Sequence, residues 1–118
     1  MLLRCYQQQI LGVNMGNIYF ITDCKRIKIG YTKQKDVNKR LKQLQTGSPD
    51  RLYLLGYFFG NMSDEKYLHK LFAKDRMRIN GEWFAPSQEL IDYINSHNEI
   101  QNSYVDWVDG KLMSLLSI

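Results

Sequence analysis

The alternation of apolar and other side chains predicts two paired strands in the first third of the chain. In segments 16–22 and 26–32, isoleucine or phenylalanine recurs at every second position, which is the period of a strand with one buried face. A tight connection is predicted at 22–25. Because successive side chains alternate between faces, an even-numbered loop places Tyr19 and Lys28 on one face, opposite Ile18, Phe20, Ile27 and Ile29. The pattern therefore makes a phenol and an ammonium neighbours.

The first predicted helix follows this hairpin. Asp36 can accept a hydrogen bond from a free backbone N–H group at the helix start, and residues 45–50 are dense in turn-forming residues that end the helix. Arg40 lies beside the apolar stripe of this helix. The stripe consists of Val37, Leu41 and Leu44.

A third strand is predicted over residues 51–59, which are rich in aromatic and apolar side chains. We expect it to join the hairpin as the central strand of a three-stranded antiparallel sheet. Gly56 within it indicates a β-bulge or a close approach of another part of the chain.

Two further helices complete the predicted fold. Asn61 or Ser63 begins the second helix, and His69 is expected on the flank of its apolar stripe. The third helix begins after residues 85–87. Glu82 lies before it, between a turn and two aromatic residues. The core-facing positions are predicted to be Leu68, Leu71 and Phe72 in the second helix and Leu90, Ile91 and Ile94 in the third. The fold class is α+β, a three-stranded antiparallel sheet flanked by helices.

The chain of 118 residues is expected to form one domain. Residues 1–15 are an N-terminal arm of unassigned structure, residues 16–98 form the domain, and residues 99–118 form a C-terminal appendage. The appendage contains apolar stretches, so residues 104–118 either fold back on the domain or form a surface for a protein partner or a second copy.

Charge is distributed unevenly along the chain, whose net charge is +4. Residues 25–42 carry eight basic and one acidic side chain, a net charge of +7, whereas residues 79–118 sum to −5. A basic face favours a polyanion such as DNA as partner, although a solvated lysine-rich helix has the same composition. Interleaved tyrosines favour nucleic acid, because they can stack on bases. The lysines expected to contact the phosphates are Lys33, Lys35, Lys39 and Lys42.

Cysteine usage and hydropathy exclude several classes of protein. Cys5 and Cys24 lie in unrelated contexts, so neither a disulfide framework nor a Cys-x-x-Cys metal site is predicted. No secretory signal or membrane span is recognisable. A reducing, intracellular location is expected, in the cytoplasm, the nucleus or a virus-associated compartment.

Four short motifs occur in a specific order along the chain. They are Ile-Tyr-Phe at 18–20, Lys-Ile-Gly-Tyr-Thr at 28–32, Arg-Leu at 40–41 and Gly-Glu-Trp-Phe at 81–84. This order resembles the GIY-YIG endonucleases over residues 16–95. The resemblance is strongest to the small phage, viral and restriction-enzyme branch, in which lysine replaces the second motif tyrosine. Asn17 in place of glycine, like Lys28 in place of tyrosine, departs from the commonest pattern.

The resemblance implies a DNA endonuclease that uses Mg²⁺ or Mn²⁺ and leaves 5′-phosphate and 3′-hydroxyl ends by single-step attack of water. Its implied catalytic residues are Tyr19, Lys28, Tyr31, Arg40, His69 and Glu82, and Glu82 is the implied metal ligand. Such hydrolysis requires a base, a cation to stabilise the phosphoryl oxygens and usually a divalent metal. A phenol is protonated at neutral pH, and the ammonium of Lys28 would favour its ionised form.

Alternatives to these assignments remain open from the sequence alone. His69 is nearly as well explained as a structural residue, and Asn95 is only a weak match to a late asparagine of the resembled family. A non-cleaving nucleic-acid-binding module of the same fold, or a protein-interaction subunit that uses the apolar tail, are the competing functions.

Overall fold

The computed structural model describes residues 15–78, 81–98, 103–108 and 111–117, in the last two ranges with side chains for 105–108 and 111–113. The elements in chain order are β1 (Gly16–Thr22), β2 (Ile27–Thr32), α1 (Val37–Thr46), β3 (Tyr53–Gly60), α2 (Met62–Leu71), a 3₁₀ turn (Ala73–Asp75), β4 (Trp83–Phe84), α3 (Gln88–His97), β5 (Ser103–Val108) and β6 (Lys111–Ser117). The predicted α+β class is confirmed.

The main sheet is antiparallel and has the strand order β3-β1-β2-β4. The prediction that β3 is central is therefore wrong, because β3 lies at one edge and β1 and β2 occupy the interior. The β1–β2 hairpin leaves the outer edge of β1 unpaired, and the chain returns through α1 to pair β3 with that edge. Two-residue β4 adds a fourth strand at the outer edge of β2.

The register of the hairpin agrees with the parity argument. Tyr19 is opposite Gly30, and Ile21 is opposite Lys28, so Tyr19 and Lys28 lie on the same face as predicted. The pairing of β1 with β3 shifts by one residue beside Gly56, which confirms the predicted bulge. Gly56 is also a close approach, since a Cβ there would lie 2.9 Å from the Asn98 Cβ.

Strand β1 is buried on both faces of the sheet rather than on one. On one face, Ile18 and Phe20 pack in a core with α2 and α3. On the other face, Tyr19 and Ile21 pack with Val37 of α1. Because α1 covers the second face, the expectation of a half-buried strand is wrong for β1.

The predicted helix starts are confirmed by their hydrogen bonds. Asp36 accepts from the Asn38 N–H at 3.0 Å, and Asn61 forms a reciprocal capping box with Asp64. Ser87 caps α3. The predicted core positions are buried, with one exception in α2.

That exception is Leu71, which is 47 % exposed. The buried face of α2 is rotated towards His69, which is 8 % exposed and lies in the interior rather than on the flank. A hydrogen bond to the backbone of β2 explains how an imidazole occupies this position.

The C-terminal hairpin β5–β6 folds back onto α3. Val105 is buried in the main core, and Trp107 and Leu112 pack against it. The amide of Asn95 donates to the Val105 carbonyl at 3.0 Å and accepts from its N–H at 2.8 Å. Asn95 thus fixes the hairpin, and of the two predicted alternatives these residues follow the folded-back one. The described helices include none long and apolar enough to cross a membrane.

Candidate functional site

The ring of Tyr19 occupies space that only a glycine opposite it provides. A Cβ at Gly30 would lie 2.3 Å from both Cζ and Oη of Tyr19, well inside van der Waals contact. The phenol therefore crosses over β2 with its hydroxyl above the Gly30 α-carbon. Tyr19 is 1 % exposed overall. Because its ring points from β1 across β2, its hydroxyl is directed towards the outer edge of β2.

Lys28 and Glu82 meet at that outer edge. The Lys28 Nζ lies 2.8 Å from the Glu82 Oε2. The Lys28 side chain is 14 % exposed and that of Glu82 is 39 % exposed, so the carboxylate reaches water while the ammonium is largely covered. Backbone pairing holds Glu82 in place, because its carbonyl accepts from the Ile29 N–H at 2.9 Å.

Arg40 projects from α1, the helix that covers the same face of the sheet. Its Nη1 lies 3.4 Å from Oε1 of Gln43, and Gln43 and Lys28 line one groove between α1 and the sheet. The Nε group of Arg40 is shielded from water and lacks a hydrogen-bond partner in the described part of the chain. The guanidinium thus retains donor capacity beside this groove.

Where β2 continues past the two-residue strand β4, side chains of α2 form hydrogen bonds with the backbone groups at the outer edge of β2. The Nε2 of His69 lies 2.9 Å from the Ile29 carbonyl oxygen, and its Nδ1 lies 3.3 Å from Nη2 of Arg76. Since the carbonyl can only accept, Nε2 of His69 donates this hydrogen bond, and Nδ1 faces the Arg76 guanidinium. Both ring nitrogens are therefore used within the fold.

Glu65, one turn before His69 on α2, is part of this edge and was not identified from the sequence. Its carboxylate accepts a hydrogen bond from the Tyr31 backbone N–H. Burial raises the pKa of the Glu65 carboxyl, and the nearby Glu82 carboxylate raises it further, whereas His69 and Lys28 act in the opposite direction. The four-residue spacing from His69, which puts both on one helix face, was the available signal.

Tyr31 lies on the opposite face of β2 from Tyr19 and Lys28. It packs against the core beneath α2 and α3. Burial raises the pKa of its phenol, and the charge of Glu65 adds to the effect, so the hydroxyl stays protonated. Tyr31 can donate a hydrogen bond but does not share the Tyr19 surface.

Arg26 forms a second cationic group next to Lys28. Its guanidinium lies 4.1 Å from the Trp83 ring centroid, and its Nε donates to Asp23 Oδ2 at 2.9 Å. Burial of the Asp23 carboxyl opposes ionisation, but hydrogen bonds from Arg26 and from the Lys25 N–H outweigh it and lower the pKa of Asp23. In the sequence, Arg26 is recognisable only as part of the basic segment 25–42.

The structure thus pairs Lys28 with Glu82 at the outer edge of β2, and Tyr19 lies on the same face of the sheet, opposite Gly30. Arg40 lies on α1 beside the groove that Gln43 and Lys28 line. His69 supports this edge from the interior, and Tyr31 lies beneath it. The four predicted phosphate contacts on the loop and helix after β2, namely Lys33, Lys35, Lys39 and Lys42, are all exposed.

The donors suited to a metal ion are few. The described residues contain no group of three or more His, Cys, Asp or Glu side chains arranged to hold an ion. Mg²⁺ is commonly held by one or two carboxylates, with water and substrate phosphates as its other ligands. A partly exposed Glu82 carboxylate, with Glu65 nearby, has the oxygen chemistry that this mode of binding requires.

Comparison with known proteins identifies one family. No curated protein and no solved structure matched the chain. Residues 16–104 match the T5orf172 domain, a phage-associated domain related to GIY-YIG-like nuclease folds. This match includes the whole main sheet, the three helices and every residue of the candidate site. The chain therefore belongs to the T5orf172 domain family.

Proposed function

We propose that the protein is a metal-dependent DNA endonuclease of the GIY-YIG type. The observation that supports it most strongly is the meeting of Lys28 and Glu82 at 2.8 Å on the edge of β2 towards which the Tyr19 hydroxyl is directed. Family membership favours a nuclease-like or DNA-binding role, and this group of side chains matches the requirements of phosphodiester hydrolysis.

Glu82 would hold Mg²⁺ or Mn²⁺. When bound, the ion supplies positive charge for the developing phosphoryl oxygens and favours ionisation of water. Glu82 suits this role because its side chain is partly exposed and the contact of its Oε2 with Lys28 holds the carboxylate in position. Glu65 would add negative charge at the same edge.

Tyr19 would take the proton of the attacking water. Its hydroxyl is directed towards the outer edge of β2 by packing over Gly30, and Lys28 on the same face would stabilise the phenolate by opposite charge. The surrounding core keeps the ring in one orientation, which is a requirement for efficient proton transfer.

Arg40 would hold the scissile phosphate from the α1 side. A buried donor without an acceptor carries a cost of about 1–3 kcal/mol, and a phosphate oxygen would supply the acceptor that the Nε group of Arg40 lacks. The planar guanidinium can also bind a phosphate by two parallel hydrogen bonds when its 3.4 Å contact with Gln43 is exchanged for the phosphate. The exposed lysines of the basic segment would then contact flanking phosphates.

The test is incubation of the purified protein with plasmid, branched and single-stranded DNA, with Mg²⁺ and with a chelator. We expect metal-dependent cleavage that leaves 5′-phosphate ends. Glu82→Gln should abolish cleavage while metal-free DNA binding is retained. Arg40→Ala should weaken binding and lower the single-turnover rate by about 10²–10³, and Tyr19→Phe should lower that rate by about 10²–10⁴ with binding intact.

Lys70→Ala on the exposed surface of α2 is the matched control, and it should cleave like the wild-type protein. Equal cleavage by Glu82→Gln would refute the metal assignment. If the wild-type protein binds DNA but cuts none of the substrates, the protein is instead a non-cleaving binding module.

A further inference from the structure

The groove beside the candidate site has a basic wall and an apolar interior. Its volume is about 350 Å³. Gln43 and Leu44 of α1 form one side, and the sheet side consists of Arg26, Lys28 and Trp83. Because Lys28 also contacts Glu82, anything bound in the groove lies next to the proposed reaction centre.

The guanidinium of Arg26 is held in one plane at the mouth of this groove. Trp83 supports its face at 4.1 Å, and Asp23 fixes its Nε. The Asp23 carboxylate is itself anchored, since its Oδ1 accepts from the Lys25 and Arg26 N–H groups at 3.0 Å. The Arg26 side chain is nevertheless 41 % exposed. A positioned guanidinium on a partly exposed side chain is suited to bind a phosphate without further ordering.

The interior of the groove is suited to a flat aromatic group with polar edges. Leu44, Leu52, Pro49 and the Trp83 ring supply apolar contacts, and the side chains of Gln43 and Ser48 offer hydrogen-bonding groups. A second cleft of about 290 Å³ on the other side of Trp83 adds Arg78. A basic groove combined with an aromatic side chain is the arrangement by which proteins bind single-stranded nucleic acid.

We propose that the groove binds an unpaired nucleotide, with its phosphate on Arg26 and its base against Leu44, beside the Trp83 ring that Arg26 covers. This inference rests on the proposed function and narrows its substrate class to nucleic acids with an unpaired nucleotide next to the scissile bond, such as an overhang, a flap or a single strand. A base in an intact duplex would first have to leave its stack, which costs a few kcal/mol. An unpaired base avoids that cost.

Gly47 offers a way to block the groove without a change of charge. It lines the groove, its φ is −94°, and a Cβ there would meet only the Leu44 carbonyl oxygen, at 3.9 Å. Gly47→Leu should therefore fold normally and fill the groove, whereas Gly47→Ala adds a single methyl group and is its matched control. Arg26→Ala removes the phosphate contact, and Lys111→Ala on the C-terminal hairpin removes one positive charge elsewhere.

The experiment measures binding without metal to fluorescein-labelled oligonucleotides: a blunt duplex, the same duplex with a short overhang, and a single strand. The wild-type protein should bind the overhang about tenfold more tightly than the blunt duplex, the effect of one stacked base. Gly47→Leu should abolish this preference and leave affinity for the blunt duplex unchanged. Arg26→Ala should weaken binding of the single strand and reduce the slope of log affinity against log salt by about 0.7, unlike Lys111→Ala.

Equal wild-type affinity for blunt and overhang DNA, or an unchanged preference in Gly47→Leu, would overturn the inference. Displacement of the oligonucleotide by an acidic peptide of equal charge would also overturn it and assign the groove to a protein partner. Melting curves confirm that each variant is folded. Because binding is measured without metal, a protein that prefers unpaired DNA but never cleaves would sustain this inference and refute the nuclease function.

Discussion

The Tyr19 ring packs over the α-carbon of Gly30, and a single methyl group at position 30 would lie 2.3 Å from the phenol oxygen. The two residues are directly opposite in the β1–β2 hairpin. The absence of a side chain at position 30 therefore allows the phenol to lie across β2.

Gly30→Ala should displace the Tyr19 ring. Overpacking of this kind typically costs about 1–3 kcal/mol, and we expect the free energy of unfolding to fall by that amount and cleavage to fall as in Tyr19→Phe. Gly47→Ala, where the added methyl has open space, is the control. Denaturant unfolding and single-turnover rates measure both effects. Wild-type activity in Gly30→Ala would show that the ring position is unimportant.

His69 should contribute mainly to the stability of the fold rather than to the cleavage reaction. His69→Leu leaves the Ile29 carbonyl without its partner, which should cost about 1–3 kcal/mol. His69→Gln retains an amide donor for that carbonyl and should lose less. Urea denaturation of both variants, with cleavage measured well below their melting temperatures, tests this role. A leucine variant of unchanged stability that no longer cleaves would instead indicate direct participation of His69 in the reaction.

The Asp23–Arg26 pair should make stability depend on pH. The pKa of Asp23 is lowered from 3.8 in the folded protein. The ionised carboxylate therefore contributes to the free energy of unfolding above pH 3.8, and this contribution is lost as the pH falls through the folded pKa. Asp23→Asn should destabilise the protein by about 1–2 kcal/mol at pH 7. The difference in the free energy of unfolding between Asp23→Asn and the wild-type protein should shrink below pH 3.8. Unfolding at a series of pH values measures this convergence, and a constant difference down to pH 2 would contradict it.

Cys24 has a φ of +76° in the hairpin loop, a conformation that costs a residue with a side chain roughly 1–2 kcal/mol. Cys24→Gly should remove this strain, and part of the gain is offset by the larger conformational entropy of glycine in the unfolded state, about 0.5–1 kcal/mol. We expect a net stabilisation of about 0.5–1 kcal/mol by thermal and urea unfolding. Cys24→Ala retains the Cβ and should show no such gain.

Removal of residues 104–118 should destabilise the domain. Val105 is 1 % exposed, and loss of a buried side chain of this size costs about 1.5–3 kcal/mol, to which the contacts of Trp107 and Leu112 are added. A melting curve of the truncated protein should show an earlier transition, while Met113→Ala, at an exposed position, should melt like the wild-type protein. A truncated protein of unchanged stability but altered sedimentation would favour a partner surface.

Local features were predicted from the sequence because neighbouring residues determine them. The parity that puts Tyr19 and Lys28 on one face follows from the period of a strand and an even-numbered loop. The caps at Asp36 and Asn61 follow from side chains that accept hydrogen bonds from their own helix. The motif order predicted a set of site residues, of which Lys28 and Glu82 are in contact and Tyr31 lies on the opposite face of the sheet. The catalytic roles of the set stay a prediction.

The tertiary structure decided everything that depends on which surfaces meet. Nothing in the local pattern of β3 indicates which edge it pairs with, and β1 became buried on both faces only because α1 crosses over it. The positions of His69 and Glu65 have the same explanation. Helix α2 packs along the outer edge of β2, whose unpaired backbone groups need hydrogen-bond partners. The imidazole and the carboxylate of α2 provide these partners. Likewise, Arg26 and Trp83 are 57 residues apart in the sequence and form one platform only because β4 pairs with β2.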